Sequence, residues 1–396
     1  MLDARIAVIG AGAAGLSLVR RLAAAGDGPS VVLLDAPPGP LRPPERTWCF
    51  WEETGGEFDS ALTASWSRLR VRSRDGRATV GRPAPLRYKM LRSPDFSALV
   101  AAELDRAPSV RRLSATVTAV HDTPAGARVH ARAADGTPLR LRARWVFDSR
   151  PLPTAPPART TLLQHFRGWF VHTEDPVFDP ATVDLMDFRV PQPPRGLAFG
   201  YVLPLGPRQA LVEYTQFSPA VLSPQAYDDA LHHYTHRILE LGPFTRTGGE
   251  TGVIPMTDAP LHRQAGHSVF RIGTAGGATR PATGYTFAAI QRQTRAIAAA
   301  CAAGRRPAPP PCHSRRARTM DALLLRALAT RRIDGPAFFA GLFHHTPTAR
   351  LLRFLDGRTH PAEDLAIGLR TPVLPMLRTA AELPLLRRRT PPEPPR

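Results

Sequence analysis

The chain has 396 residues, of which 43% are hydrophobic and 21% charged. That balance excludes a chain disordered throughout, and the length suffices for two or three structural units with substantial cores. The 52 basic against 33 acidic residues give a formal charge of +19, which suits a polyanionic partner: a nucleic acid, an anionic membrane or a phosphorylated cofactor. Lys89 is the one lysine, so an Arg-, Ala- and Pro-rich imprint of a GC-rich genome explains much of the charge. The basic residues are also spread along the chain rather than gathered into an arm or a module, which argues against nucleic acid.

Cys49, Cys301 and Cys312 have no metal-ligand spacing and do not suggest a disulfide framework, so the chain reads as cytoplasmic and reduced. Its first residues run directly into a strand pattern, which argues against a preceding signal peptide. No run of about 18 apolar residues predicts a spanning helix, and no fixed repeat is visible. Proline clusters at 37–44, 151–157, 307–311 and from 391 onward mark loops or unit boundaries.

Arg5–Ile9 predicts a buried strand, Gly10-Ala11-Gly12-Ala13-Ala14-Gly15 a tight turn, and 16–25 an amphipathic helix ended by Gly26. Val31–Leu34 predicts a second strand, closed by Asp35 twenty residues after Gly15. The pattern is a dinucleotide fingerprint. Gly10 permits the turn, Gly12 lets backbone approach a pyrophosphate, Gly15 allows close helix–strand packing, and Asp35 can accept from ribose hydroxyls. Its N-terminal position favours FAD over NAD, although the fingerprint alone also permits an NAD-dependent dehydrogenase. Downstream, Val269–Gly273 reads as a strand, and Gly273, Gly276 and Gly277 form a small-residue loop. Gly284 then precedes a helix over 286–303. A second strand, glycine loop and helix start suits a flat anionic ligand, or is an ordinary βα connection.

Six further segments carry a resemblance. They are Arg46-Thr47-Trp48-Cys49-Phe50-Trp51-Glu52, Val177–Pro180 with Leu185–Arg189, Tyr201–Leu205, Ala210–Thr215, Glu250–Met256 and Pro281–Tyr285. With the fingerprint, their order and spacing resemble the bacterial lycopene β-cyclases over about 5–300, and more loosely through 338–355. The resemblance implies an FAD-dependent enzyme that closes β-ionone rings on lycopene or a related acyclic carotenoid. It implies that the FAD must be reduced, typically by NADPH, with no net redox change. The family's acid segment often carries two adjacent acids; here Glu213 is followed by Tyr214.

The residues themselves suit such chemistry. The alternation over 209–215 is largely apolar on both sides, as in a strand buried on both faces. Burial there favours the neutral form of Glu213, and a neutral acid facing an apolar pocket can protonate an alkene. Glu213 is the candidate proton donor, or a close partner of it, against an edge-strand carboxylate in water or paired with an arginine. Glu250, before Gly252, is a second acidic candidate or a turn carboxylate. Asp187 is either a site acid or the partner of Arg189. Arg46 contacts the flavin or its phosphates, or lies on the surface. Two aromatic clusters, Trp48/Phe50/Trp51 and Phe166/Trp169/Phe170, are either cation-stabilising or plain core. His344-His345 cannot both face one metal, so no metal site is expected.

The fold expected is α/β. A Rossmann-type FAD-binding unit, a mostly parallel sheet with helices on both faces, carries an inserted antiparallel substrate-binding sheet and a helical C-terminal region. The boundaries expected are 1–155 and 266–310 for the two parts of the FAD-binding unit, 156–265 for the substrate sheet and 311–396 for the C-terminal region. Helical pattern over 321–355, then apolar stretches interleaved with Arg to 389, suits either a cap over a substrate tunnel or peripheral attachment to the inner face of the cell membrane. A flavin-dependent monooxygenase or prenyl reductase acting on an isoprenoid lipid is the alternative on this fold. Many such relatives have Asp after the glycine of the second loop, where Thr274 stands here.

Overall fold

A computed structural model describes residues 2–24 and 28–390. The helix stop expected at Gly26 and the proline-rich tail from 391 lie outside the described residues. The chain opens with β1 (Leu2–Ile9), α1 (Ala13–Ala23) and β2 (Val31–Asp35). Next come β3 (Thr47–Glu52), β4 (Ala64–Trp66), β5 (Arg68–Arg72), β6 (Ala78–Gly81), β7 (Arg87–Arg92) and α2 (Ser93–Leu104). β8 (Val110–Thr123), β9 (Gly126–Ala133) and β10 (Pro138–Asp148) precede the long strands β11 (Thr161–Thr173), β12 (Thr182–Asp187), β13 (Leu197–Pro204) and β14 (Gln209–Ser218). Then follow α3 (Pro224–His233), β15 (Phe244–Thr257), β16 (Val269–Arg271) and α4 (Phe287–Ala302). The chain ends with α5 (Arg315–Ala329), α6 (Gly335–His345), α7 (Thr348–Leu355), α8 (Pro361–Gly368) and α9 (Val373–Glu382).

The first sheet is parallel through β8, β2, β1, β10 and β16. Its last strand comes from far along the chain, so the first and third quarters share one sheet. The tight turn after β1 is built by glycine: Gly10 has φ +92°, and a Cβ on Gly15 would sit 1.9 Å from the Gly10 carbonyl oxygen. Helix α1 therefore begins three residues before the sequence pattern indicated. One face of the sheet buries Ile6, Val8 and Phe147 under α1, α2 and α4. The other face corrects the expectation of helices on both sides. Ala7, Ile9, Val32 and Leu34 pack there against Val117, Val129 and Leu141 of the β8–β9–β10 meander. Those strands alternate apolar and polar side chains, so one face of the meander can cover the sheet.

The second sheet runs β15-β11-β14-β13-β12-β5-β6 and is antiparallel except between β12 and β5. α3 covers its outer face through Tyr227 and Leu231. Its inner face meets α5, α6 and α7 through Leu325, Leu328, Phe339, Phe343 and Leu355. The expected continuous helical stretch is thus three helices. Thr330 ends α5, and Asp334 caps α6 by accepting from the Ala337 N–H.

A buried ion pair ties this helical cap to the second glycine loop. Arg280 and Asp321 are 2.8 Å apart, with side chains 4% and 5% exposed. Burial lifts the Asp321 carboxyl to about 6 even with Arg280 beside it. Asp321→Ala should lower the unfolding free energy by about 3–5 kcal/mol, because it strands the guanidinium in the interior. Urea denaturation of the two proteins measures this.

Candidate functional site

One cavity of about 1580 Å³ lies between the two sheets and under the cap. A single small-molecule site usually takes about 300–1,000 Å³, so there is room for more than one ligand. At one end the N-termini of α1 and α4 border it, through Gly12, Ala13 and Ala14 and through Gly284 to Phe287. Neither helix has a side-chain cap, so their first N–H donors are free for a ligand. A Cβ at Gly12 would meet nothing within 4 Å, which leaves open space beside that turn. Gly273, Gly276 and Gly277 line the same end. This cradle fits a dinucleotide. Gly10 and Gly15 shape the turn without lining the cavity. Asp35 lies beside the turn, where it accepts from the Ala11 N–H at 3.0 Å and from Arg42, which is 49% exposed. Exposed Arg46 stands at the cavity edge, its backbone held by Ser93.

The middle of the cavity is built on β11. Gly168 is the register partner of Glu213 on β14 and of Glu250 on β15. The two acids therefore flank a residue with no side chain, and their carboxyls hydrogen-bond to each other in the space it leaves. A Cβ at position 168 would lie 2.7 Å from Glu213 Cγ. Glu213 is 6% exposed. Burial first, and the neighbouring Glu250 carboxyl second, push the Glu213 carboxyl well above the usual carboxylate range. No arginine, lysine or histidine forms an ion pair with either acid among the described residues. The pair therefore keeps a proton at neutral pH and presents it to an apolar space.

Strand alternation explains the departure at Tyr214. Its side chain points to the outer face, against Tyr227 and Tyr234. An acid at 214 would face away from Glu213, so the second acid comes from the neighbouring strand. Glu250 is accordingly a strand residue and not a turn carboxylate.

Beside the acids, Tyr88 shares hydrogen bonds with Tyr201 at 2.8 Å and Tyr285 at 2.9 Å. Tyr201 is the register partner of Glu213. Deeper in, Leu203, Phe217, Phe339 and Phe343 wall the cavity. At its edge Arg389 pairs with Ala158 as a short strap, and both border the opening.

Neither aromatic cluster acts as a unit, because successive strand residues face opposite ways: Trp51 turns away from Trp48 and Phe50, and Trp169 from Phe166 and Phe170. Trp48 borders the cavity and stacks on Phe287 at 5.5 Å, Phe50 is core, and Trp51 sits behind Tyr285. Phe166 borders the cavity, Trp169 faces α3, and Phe170 lies under Arg92. Asp187 is fully buried with Arg189 at 2.6 Å and the Tyr234 hydroxyl at 3.2 Å, away from the cavity. No group of three His, Cys, Asp or Glu side chains converges as a metal site among the described residues.

Sequence reasoning named Glu213 and Glu250 but not what joins them. The missing residue, Gly168, had a visible signal: a lone glycine inside the bulky run Phe166-Arg167-Gly168-Trp169-Phe170. Such a glycine marks close approach by another group. The tyrosine group had none, because its three members come from β7, β13 and the loop before α4. Gly168→Ala should cost about 1–3 kcal/mol of stability by overpacking against Glu213, measured by denaturant unfolding.

A family described as lycopene cyclase protein matches residues 5–381. No curated protein sequence matches the chain. Among solved structures, a flavoprotein/dehydrogenase from Cytophaga hutchinsonii aligns with a TM-score of 0.64 at 14% identity, covering 97% of this chain and 99% of that one. A geranylgeranyl bacteriochlorophyll reductase-like protein from Thermoplasma acidophilum gives 0.61 at 13% identity, covering 97% of each chain. A p-nitrophenol 4-monooxygenase from Pseudomonas putida gives 0.60 at 16%, covering 98% and 100%. At these identities the likeness is one of fold.

Proposed function

The chain belongs to the lycopene cyclase family, and from that premise we propose that it closes β-ionone rings on lycopene or a related acyclic carotenoid. The observation that carries this reading is the proton-holding pair Glu213/Glu250, placed in an apolar cavity continuous with a dinucleotide cradle. The cradle would hold FAD between the α1 turn and the second glycine loop, with NADPH as the electron donor. When bound in reduced form, FAD would supply negative charge beside the reacting end of the substrate.

The residues of the chain do the proton chemistry. Glu213 adds its proton to the terminal double bond and leaves a tertiary cation. The next double bond attacks the cation and closes the ring. A ring proton then returns to the carboxyl pair, so the sum is an isomerisation with no net oxidation. The walls of Leu203, Phe217, Phe339 and Phe343 keep water from trapping the cation. Trp48, Phe166 and the tyrosines offer aromatic faces, each worth about 0.5–2 kcal/mol to a cation.

In a lycopene-accumulating bacterial host, the wild-type chain should convert lycopene to γ- and β-carotene. Glu213→Gln should lower conversion at least ~100-fold while FAD stays bound. Unchanged lycopene with FAD-loaded wild-type protein would overturn the reading, and NADPH consumed in proportion to product would replace it with the redox alternative. The pH dependence has a definite sign. Because the raised Glu213 carboxyl must be protonated to act, the rate should hold through neutral pH and fall as pH rises past it. A rate in vitro that rises steadily with pH would contradict this.

A substrate dissolved in lipid also requires a route from the membrane. No helix of the described residues is long and apolar enough to cross one. The end of the chain instead exposes Leu365, Leu369, Val373, Leu374, Leu377 and Leu385, from 41% to 83%. Exposed Arg370, Arg378 and Arg387 lie among them. That face suits peripheral attachment to an anionic bilayer next to the strap at the cavity edge. The wild-type protein should sediment with phosphatidylglycerol vesicles at low salt. A Leu369→Asp/Leu377→Asp variant should bind about tenfold more weakly, since each leucine loses its apolar burial in lipid.

A further inference from the structure

We infer that Thr47 is a positioning residue that orders the acid pair, donating to Glu250 so that the pair's proton sits on Glu213. The inference rests on the cyclase reading for its kinetic consequences, but its proton assignment stands on geometry.

Thr47 Oγ1 lies 2.5 Å from Glu250 Oε2. A hydroxyl carries one proton, and among the described residues Glu250 is the acceptor within reach of this one. Thr47 therefore donates, and Glu250 accepts. A donated hydrogen bond to a carboxylate favours its charged form. Among the described residues no hydroxyl or N–H donates to the Glu213 carboxyl. Its neighbours are the Glu250 carboxyl, Cys49 and Tyr201. Of the two acids, Glu213 is the more deeply buried, while Glu250 is half-buried. Both differences act in the same direction. The proton shared across the pair belongs to Glu213, and Glu250 is the carboxylate that accepts it.

The surroundings leave little else to set this order. On β3 the nearby titratable group is Cys49, whose thiol burial pushes up to about 12. On β7, β13 and the loop before α4 they are Tyr88, Tyr201 and Tyr285, all raised by burial. These four stay neutral from acid to neutral pH. Of the basic groups on the elements packed here, Arg92 stacks on Phe170 and pairs with Glu45, Lys89 pairs with Glu52 and Asp59, Arg167 pairs with Asp228 near α3, and Arg246 stacks on Trp169 at the outer face. Arg46 makes no ion pair with either acid. Beside the deeper burial of Glu213, the Thr47 hydroxyl is thus what distinguishes one carboxyl from the other.

The test has a spectroscopic and a kinetic part, both on the full FAD-loaded chain. Infrared difference spectra with 13C-labelled glutamate report a protonated carboxyl band. The band should persist at neutral pH in wild type and in Glu250→Gln, and vanish in Glu213→Gln. The reverse pattern would overturn the inference whatever the activity. In turnover of lycopene dispersed in liposomes, Thr47→Val keeps the side-chain shape and removes the donor. It should lower kcat about ten- to a hundredfold. Thr47→Ser restores the hydroxyl and should return kcat to within about threefold of wild type. A Thr47→Val protein with wild-type kcat, or a Thr47→Ser protein as slow as Thr47→Val, would overturn the assignment. Absence of cyclisation by the wild-type chain would instead overturn the cyclase reading, and the infrared result would still decide the proton's place.

Discussion

The constraint on which this site depends is the cost of burying two carboxyl groups together. An isolated ionised carboxylate in an apolar interior is too expensive to keep, and two side by side are worse. The protein meets that cost by leaving one proton on the pair and by clearing space for it. Gly168 does the clearing: with any side chain there, Glu213 could not lie against Glu250. The absence of a basic partner matters equally among the described residues. An arginine beside Glu213 would favour its charged form, and such a pair, Arg189 with Asp187, lies on the opposite side of the same sheet. A chain with so many arginines keeps them away from this one place.

The rest of the architecture serves that pair. β11 lies between β14 and β15, so the acids arrive from both sides in register. The three cap helices roof the cavity with leucine and phenylalanine, and the Arg280–Asp321 pair fastens the roof to the second glycine loop. The first sheet brings the α1 turn to the other end of the same space. The cofactor cradle and the acids are thus joined by one cavity whose middle is polar only where it is needed.

The sequence was informative where the signal is local. The first strand, glycine turn, helix and closing acid could be read in order, because turn geometry and helix starts depend on a few consecutive residues. The burial of Glu213 could be read from alternation along its own strand. Both acids were marked, and Asp187 could be matched with Arg189 because they are two residues apart. The covering of the first sheet's second face was not legible, since an alternating meander does not say which sheet it will cover. Which rings of the aromatic runs face the cavity was not legible either, since a strand sends successive residues to opposite faces and the sequence does not say which face is which.

What the sequence by itself determined is the local chemistry: a dinucleotide turn, a strand able to bury an acid, a second glycine loop and an apolar, arginine-studded end. Only the tertiary structure decided that Thr47, Gly168, Glu213 and Glu250 meet. They come from four strands separated by 121, 45 and 37 positions, and nothing in a local pattern fixes their alignment. Sheet register does. A shift of one residue between β11 and either neighbour would turn an acid to the outer face and dissolve the pair, because side chains in a strand repeat with a period of two.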